Sequence, residues 1–410
     1  MENNKKTLWY ISQYAVPVKY GFGTRHFYLG KELVKKGMDV TIIASSYNKI
    51  FESAGIFPQD PETYNFENID GVEVCWIRGF RYKKNEGIGR IISWLVFTYR
   101  LFFLPLKKFR IPNVIILSSL SLPPVLAAYY YKIKYGAKLI FEIRDIWPLT
   151  LIDVGGYSKY HPVVLLLGAI EKFGYRNADV ITATMPAADL HIKERITQPF
   201  KFACIPQGVD LDLYKGSTVQ DSNFFKTYMP EGKFIIGYAG TLGKSNSLET
   251  VIDAVCELSK SDPSIHLVFL GEGPSKTELM KRSSVCSAIS FAPKVKKEMV
   301  SSFLSKCDLL YDSVKSVNLY RYGLSRNKWM DYMMAGKPML VSYTGYLSLI
   351  NEADCGLAVP SEDVNALLDA LKKFSSANKE ELKTMGLRGK EFVMKNRTFD
   401  KLAEKYMELF

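Results

Sequence analysis

Two spacings of apolar residues alternate along this chain. Short, nearly continuous apolar runs bounded by Gly, Asp, Asn or Lys read as buried strands, and the stretches between them, apolar every three or four positions, read as amphipathic helices. In the first half the runs predict strands at Thr7–Gln13, Asp39–Ala44, Val72–Ile77, Asn113–Ser118, Lys138–Ile143, Val180–Thr184 and Lys201–Ile205. The second half repeats the scheme at Phe234–Ala239, Ile265–Leu270, Ala288–Phe291, Leu309–Asp312, Pro338–Val341 and Gly356–Val359. Strand and helix in regular alternation predict an α/β chain of parallel sheets covered by helices. Between the halves, Pro206-Gln207-Gly208-Val209-Asp210 is turn chemistry, so a hinge is expected near Gln207 to Gly216.

The length fits this division, because 410 residues exceed one ordinary core and suit two domains. With 47% hydrophobic and 23% charged residues the chain is neither disordered nor a multi-spanning membrane protein. The six cysteines (Cys75, Cys204, Cys256, Cys286, Cys307, Cys355) have no paired spacing, and Met1 to Lys6 is polar rather than signal-like, so a reducing cytoplasm is expected. The four histidines are equally scattered, and no metal site is expected.

Charge adds a second theme. From Gly87 to Phe141 there is no Asp or Glu, while Arg90, Arg100, Lys107, Lys108, Arg110, Lys132, Lys134 and Lys138 supply eight of the twelve excess positive charges. The same stretch holds Trp94, Leu95, Phe97, Tyr99, Leu101, Phe102 and Phe103, a surface too aliphatic and aromatic for nucleic acid. An anionic membrane surface fits better, with Arg90 to Lys108 in the interface; a helix packed on its own domain is the alternative. Ile111 to Tyr131 is uncharged and long enough to span a bilayer, but its centre, Ser118 to Pro124, reads as strand, loop and a helix opened by proline.

Candidate chemistry lies where strands give way to helices. After the first strand, Tyr20-Gly21-Phe22-Gly23-Thr24-Arg25 lets backbone approach an anion, but His26 stands where a dinucleotide fingerprint needs its third glycine, so NAD is not expected. Gly240-Thr241-Leu242-Gly243-Lys244-Ser245 resembles the end of a P-loop, yet its upstream glycine is Gly237, one position out of register; a strand, a glycine turn and a lysine remain, which together can neutralise a diphosphate. Asp210-Leu211-Asp212 looks like a metal-binding acid pair but sits in turn context, where Asp is a common cap. In Asn327 to Pro338, Asp331 lies among core residues of a helix; since an unpaired buried carboxylate is costly, it is expected to cap a neighbour or accept bonds from a ligand.

Taken in order, the glycine loop, Glu142-Ile143-Arg144-Asp145-Ile146-Trp147-Pro148, Gln207-Gly208-Val209-Asp210, Tyr238 to Lys244, Gly271-Glu272-Gly273-Pro274 and Asp331-Tyr332-Met333-Met334-Ala335-Gly336-Lys337-Pro338 resemble retaining glycosyltransferase family 4, particularly its capsule and O-antigen members. The resemblance implies the GT-B fold, two Rossmann-like, doubly wound domains facing a cleft. It divides the chain into an acceptor-binding domain at 1–206, a nucleotide-sugar-binding domain at 207–395, and a C-terminal helix at 396–410 returning to the first. It implies a nucleotide-diphosphate sugar donor, UDP-linked, transfer with retention and no bound metal. Lys244 would neutralise the diphosphate and Asp331 would bind the ribose hydroxyls. Gly21 and Gly23 would approach the donor phosphates, Gly240 and Thr241 would line the diphosphate turn, and Arg144 and Asp145 would face sugar and acceptor.

Two departures stand out. Of the family's two glutamates seven residues apart, the second is Asp331 and the first falls on Gly323, so backbone groups near Gly323 and Leu324 would have to replace it. Thr241 stands where the family has an arginine ahead of its lysine, leaving Lys244 alone or assisted by Arg321 or Arg326. The acceptor would be a lipid-linked or oligosaccharide glycan, reached from the inner face of the cytoplasmic membrane. A nucleotide-sugar epimerase of the same fold and a degenerate, non-catalytic membrane scaffold are the rival readings.

Overall fold

The computed structural model of the chain describes residues 5–20, 24–47, 62–82, 87–216, 219, 221–346 and 349–410. Its contacts divide it into two units: residues 1–206 with 399–410, and residues 207–398.

The first unit is built on an eight-stranded sheet, with β1 Thr7–Ile11, β2 Asp39–Ser45, β3 Tyr64–Ile69, β4 Val72–Ile77, β5 Val114–Ser118, β6 Lys138–Ile143, β7 Val180–Ala183 and β8 Phe202–Cys204 in the order β3-β4-β2-β1-β5-β6-β7-β8. All neighbours are parallel except β3 and β4. Every residue of β1 and β5 is buried, as expected of strands covered on both faces. The order turns outward from β1 in both directions, through β2 on one side and β5 on the other, and a crevice at the carboxyl ends of those strands is where such sheets take ligands. The strand β3, which the apolar pattern misses, is an antiparallel edge whose Asn65 and Glu67 break up the run; it turns into β4 through Asp70-Gly71, both at positive φ.

The uncharged span Ile111 to Tyr131 resolves into β5 and a helix, Pro124–Tyr135, with prolines at its start. Among the described residues no helix is long and apolar enough to cross a membrane. The basic, aromatic segment before it forms the helix Ile88–Phe102, which has two faces. Ser93, Trp94, Phe97, Thr98 and Leu101 are buried, and Tyr131 of the next helix donates to the Leu101 carbonyl at 2.9 Å. Leu95, Tyr99 and Phe103, each four residues from the last, are 52%, 66% and 62% exposed.

The last helix, Phe399–Met407, packs within this unit. Phe399 stacks on Tyr28 at 4.8 Å, Asp400 pairs with Lys36 at 2.7 Å, and Tyr406 donates to Glu142 at 2.7 Å. Glu142 is buried at the end of β6, where Tyr10 donates to it at 3.0 Å and Arg25 pairs with it at 3.1 Å. Arg25 also donates to the carbonyls of Ile205 and Pro206, so one buried pair ties β6 to the end of the first unit and to the last helix.

The second unit has a six-stranded, fully parallel sheet of β9 Phe234–Ala239, β10 Ile265–Leu270, β11 Ile289–Ala292, β12 Leu309–Ser313, β13 Met339–Ser342 and β14 Gly356–Val359, in the order β11-β10-β9-β12-β13-β14. Here the order reverses at β9, between β10 and β12. The turns after β9 and β10 press backbone on backbone. Gly240 N donates to Leu270 O at 3.0 Å, Leu242 N to Glu272 O at 3.0 Å and Ser275 N to Leu242 O at 2.9 Å. A β-carbon on Gly271 or Gly273 would meet the carbonyl oxygens of Gly240 and Leu242 at 2.1 and 2.2 Å, so the Gly-Glu-Gly sequence is a condition of this contact.

Each half thus forms a Rossmann-like, doubly wound sheet of its own.

Candidate functional site

In the second unit, the carboxyl ends of β9 and β12 flank the point where strand order reverses, and a cluster of charged side chains collects there. Asp312, which follows Leu309, Leu310 and Tyr311 in β12, is wholly buried. Its carboxylate accepts from Trp329 Nε1 at 2.7 Å, pairs with Arg326 Nε at 2.8 Å and with Lys328 Nζ at 3.1 Å. Two cations on one carboxylate leave the cluster a net positive charge. Arg326 also donates to Asn246 Oδ1 at 2.9 Å, and Asn246 Nδ2 donates to the Thr241 carbonyl at 2.7 Å, so the guanidinium is tied to the glycine turn itself. Lys328 donates to the Tyr238 hydroxyl at 2.9 Å, and a β-carbon on Gly240, whose φ is +154°, would meet Lys328 Nζ at 2.8 Å. Burial pushes the Lys328 ammonium down to about 8; Arg326 adds to the shift and Asp312 opposes it.

The helix Asn327–Met334 supplies this cluster and one further group. Trp329, Met330, Tyr332 and Met333 are buried, while Lys328 and Asp331, three positions apart, are neighbours on its other side. Asp331 is half-buried; the Tyr214 hydroxyl donates to its Oδ1, and its second oxygen accepts no hydrogen bond from the described residues. Asp210 caps the short turn Leu211–Tyr214 by accepting from Asp212 N at 3.0 Å, and Asp212 pairs with Lys215 at 2.7 Å, so these acids serve the turn that presents Tyr214.

The remaining expected residues fall around this cluster. Lys244 opens a single 3-10 turn, Lys244–Asn246, is exposed, and makes no side-chain hydrogen bond or ion pair with the described residues. Thr241 is exposed, and its carbonyl also accepts from Tyr238 at 2.7 Å. Gly323, at φ +97°, ends the turn Asn318–Tyr322, with the half-buried Leu324 next to it. Asp312, Lys328 and Asn246 were not singled out from the sequence. A carboxylate closing an apolar strand was the available signal for Asp312.

In the first unit, Gly21 and Gly23 lie outside the described residues. Arg144 and Asp145 follow β6, the Arg144 amide donating to Ser119 Oγ at 3.1 Å. Asp145 presents an exposed surface, with Arg144 and Arg90 near enough to favour its charged form. Burial and then Arg144 hold His26 well below the usual imidazole range, and its ring contacts Ser118 Oγ at 3.0 Å and Thr24 Oγ1 at 3.0 Å. Among the described residues no group of three or more His, Cys, Asp or Glu could hold a metal ion.

Comparison with known proteins addresses both units. Residues 233–376 match the family described as Glycosyl transferases group 1, a span that contains the whole Asp312 cluster, Lys244 and Asp331. No curated protein matches the chain. Solved structures resemble it over nearly its full length. A sucrose-phosphate synthase from Thermosynechococcus elongatus is 17% identical with a TM-score of 0.72, covering 99% of this chain and 98% of that one. A trehalose-6-phosphate protein of E. coli bound with UDP-2-fluoro glucose is 11% identical with a TM-score of 0.73, covering 98% of each. The Anabaena HepE protein in complex with UDP is 12% identical with a TM-score of 0.64, covering 98% of this chain and 99% of that one. At such identities the likeness establishes the fold. The chain has the GT-B fold of two Rossmann-like domains, and its second unit carries the glycosyl transferases group 1 match.

Proposed function

We propose that the chain is a glycosyltransferase that moves a sugar, with retention and without a metal ion, from a UDP-linked donor to a lipid-linked glycan in surface polysaccharide synthesis. The observation that carries this reading is the cationic cluster of Arg326 and Lys328 on buried Asp312, inside the family-matched segment and at the strand-order reversal of the second unit. The solved structures with UDP or a UDP-sugar bound support the same donor class.

In this reading the diphosphate lies over the glycine turn. Arg326 and Lys328, with Lys244 from the exposed side, neutralise the charge that grows as the glycosidic bond to the donor breaks, which is electrostatic stabilisation by groups fixed in advance. Asp331 accepts from the ribose hydroxyls with the oxygen that Tyr214 leaves open. The backbone at Gly323 and Leu324 faces the sugar. Departure of the diphosphate runs ahead of acceptor attack on the same face, through an oxocarbenium-like centre, with no covalent enzyme intermediate. Arg144 and Asp145 serve the acceptor side. The exposed Leu95, Tyr99 and Phe103, with Lys107, Lys108 and Arg110 beyond them, hold the protein on an anionic bilayer.

Calorimetric titration with UDP, followed by an assay of UDP release from a panel of UDP-sugars with a membrane lipid extract as acceptor source, tests the reading. Binding and acceptor-dependent release are expected. No affinity for UDP would exclude the donor assignment, and binding without release from any donor would favour a non-catalytic scaffold.

A further inference from the structure

The first unit holds a second cluster that the donor chemistry does not use. It gathers at the carboxyl end of β1, on one side of the strand-order reversal, from Gln13 and Tyr14, from Trp147 after β6, and from the start of the helix Ile88–Phe102. The Arg90 guanidinium lies over three rings, 6.0 Å from Tyr14 and 5.3 Å from both Trp94 and Trp147. The two indoles meet edge to face at 5.5 Å, and Trp94 Nε1 donates to the Tyr14 hydroxyl at 2.7 Å. Gln13 is fixed by donating to Ser93 Oγ at 2.9 Å and Ser93 O at 3.3 Å.

What this frame leaves unsatisfied is specific. Trp147 is 8% exposed and its indole N–H has no hydrogen-bond partner; Gln13 is 2% exposed and its Oε1 has none either. Arg90 makes no ion pair or hydrogen bond with the described residues; beyond its ring contacts it is near enough to Asp145 to favour that carboxylate's charge, without pairing with it. Orphaned buried polar atoms are costly, and a native chain that keeps them commonly has a ligand for them. Rings hold the guanidinium by its cation charge and use none of its N–H donors, and that planar fork of donors suits a phosphate. An indole N–H beside it adds a donor, and Gln13 Oε1 offers an acceptor to a hydroxyl.

We propose that Arg90, Trp147 and Gln13 form the receptor for the phosphate and first sugar hydroxyl of a phosphorylated amphiphile, a glycan carried on a long apolar chain through a phosphate. This rests on the reading of the protein as a transferase to a lipid-linked acceptor, and it names the group by which that acceptor is held. The apolar chain has its own place. The helix Ile88–Phe102 carries Arg90 in its first turn and exposes Leu95 and Tyr99, with Phe103 just after it, and the fourteen residues from Arg90 to Phe103 span about 20 Å. A phosphate at the head of this helix therefore belongs to a molecule whose tail follows the same helix into a bilayer.

The test titrates farnesyl diphosphate, a water-soluble prenyl phosphate, into protein already saturated with UDP so that the donor site is closed to it. Farnesol and inorganic pyrophosphate are titrated in parallel, and flotation with phosphatidylglycerol vesicles is measured alongside. R90Q is expected to weaken farnesyl diphosphate about tenfold or more, the scale of one charge-assisted contact. W147F, which keeps the ring and removes the N–H, is expected to weaken it about three- to tenfold, the scale of one neutral hydrogen bond. Both variants should keep wild-type affinity for UDP and farnesol, wild-type melting temperature and wild-type flotation. Undiminished farnesyl diphosphate binding by R90Q overturns the proposal, as does wild-type protein that binds farnesol as tightly as the diphosphate. Loss of flotation in step with farnesyl diphosphate binding also overturns it, because Arg90 would then be a contact to bulk lipid headgroups. If the wild-type protein fails to bind UDP, the donor reading fails instead, and the prenyl phosphate titrations remain readable without it.

Discussion

Lys328 holds its ammonium 3.1 Å from buried Asp312 while Arg326, two residues earlier, grips the other oxygen of the same carboxylate at 2.8 Å. One anion between two cations is an unbalanced arrangement in a low-dielectric site. It loosens the lysine's hold on its proton, and it favours any ligand that brings negative charge.

That imbalance sets a pH dependence. With its pKa pushed down to about 8, Lys328 is charged below that pH and neutral above it. A bound diphosphate favours the charged form, so UDP affinity should be level from pH 7 to 8 and then fall with a slope approaching about tenfold per pH unit. Calorimetric titration between pH 7 and 9.5 reads this directly. K328M should bind more weakly at pH 7 and lose the slope; a slope that persists in K328M would show that another group titrates.

The same cluster predicts an order among the cations. Arg326 is tied to both Asp312 and Asn246, whereas Lys244 is exposed and its charge is screened by solvent. R326M should lower UDP affinity about tenfold or more and K244M by less than about fivefold, with the K244M effect shrinking as salt is raised. Equal losses in the two variants would mean that the exposed lysine closes on the ligand.

Much of the architecture was legible, because period-two and period-3.6 patterns report burial directly. The strands Val72–Ile77, Lys138–Ile143, Phe234–Ala239, Ile265–Leu270 and Gly356–Val359 fall where their apolar runs place them. The strand Tyr64–Ile69 does not show in the pattern because it is an edge strand with little to bury, although the Asp70-Gly71 turn beside it was a hairpin signal. The site was harder to read. Asp312, Arg326 and Lys328 are separated in sequence by a loop and meet only because the helix Asn327–Met334 turns one side toward β12. No local spacing encodes that meeting, and an exposed glycine-loop lysine is more conspicuous in a sequence than a cation already paired with a carboxylate. Likewise the Arg90 to Lys108 stretch offered a choice between interface and core; its helix buries Trp94, Phe97 and Leu101 on one face and exposes Leu95 and Tyr99 on the other.

Asp331 has a test that separates ligand contact from stability. If its free oxygen accepts from the ribose 2′-hydroxyl, the wild-type protein should prefer UDP to 2′-deoxy-UDP, and D331A should bind the two alike at the weaker level. Y214F removes the competing donor and should keep or strengthen the preference. Affinities for the two nucleotides in the three proteins decide it. A preference unchanged in D331A would return Asp331 to the role of a partner for Tyr214.

The Glu142 and Arg25 pair predicts acid sensitivity in the first unit. Burial alone would raise this carboxyl, but the Arg25 charge above all, with Arg144, outweighs it and holds the pKa at about 2. The folded value lies below the unfolded one, so the stabilisation is complete above about pH 4.5 and is lost as pH falls toward 2. E142Q strands the buried Arg25 charge and should cost about 3 to 5 kcal/mol at pH 7. The melting-temperature gap between wild type and E142Q should therefore narrow between pH 4.5 and 3. A gap constant over that range would mean that the glutamate acts through packing rather than charge.

The proposed membrane attachment rests on three side chains. Leu95, Tyr99 and Phe103 recur every four residues on the exposed side of the helix Ile88–Phe102, and Tyr99 and Phe103 touch ring to ring at 4.9 Å. Because none of the three belongs to the buried face, replacing them with Asp leaves Trp94, Phe97 and Leu101 in place, so the fold should survive with its melting temperature near that of the wild type. The triple variant loses apolar insertion and adds charge that an anionic bilayer repels, and its flotation with phosphatidylglycerol vesicles should fall about tenfold or more. Charge-neutral phosphatidylcholine vesicles separate the two contributions. Wild-type protein should float less with them than with anionic vesicles because Lys107, Lys108 and Arg110 lose their partner, yet more than the triple variant, because insertion remains. If the triple variant floats as well as the wild type on anionic vesicles, this helix is not the contact, whatever its composition.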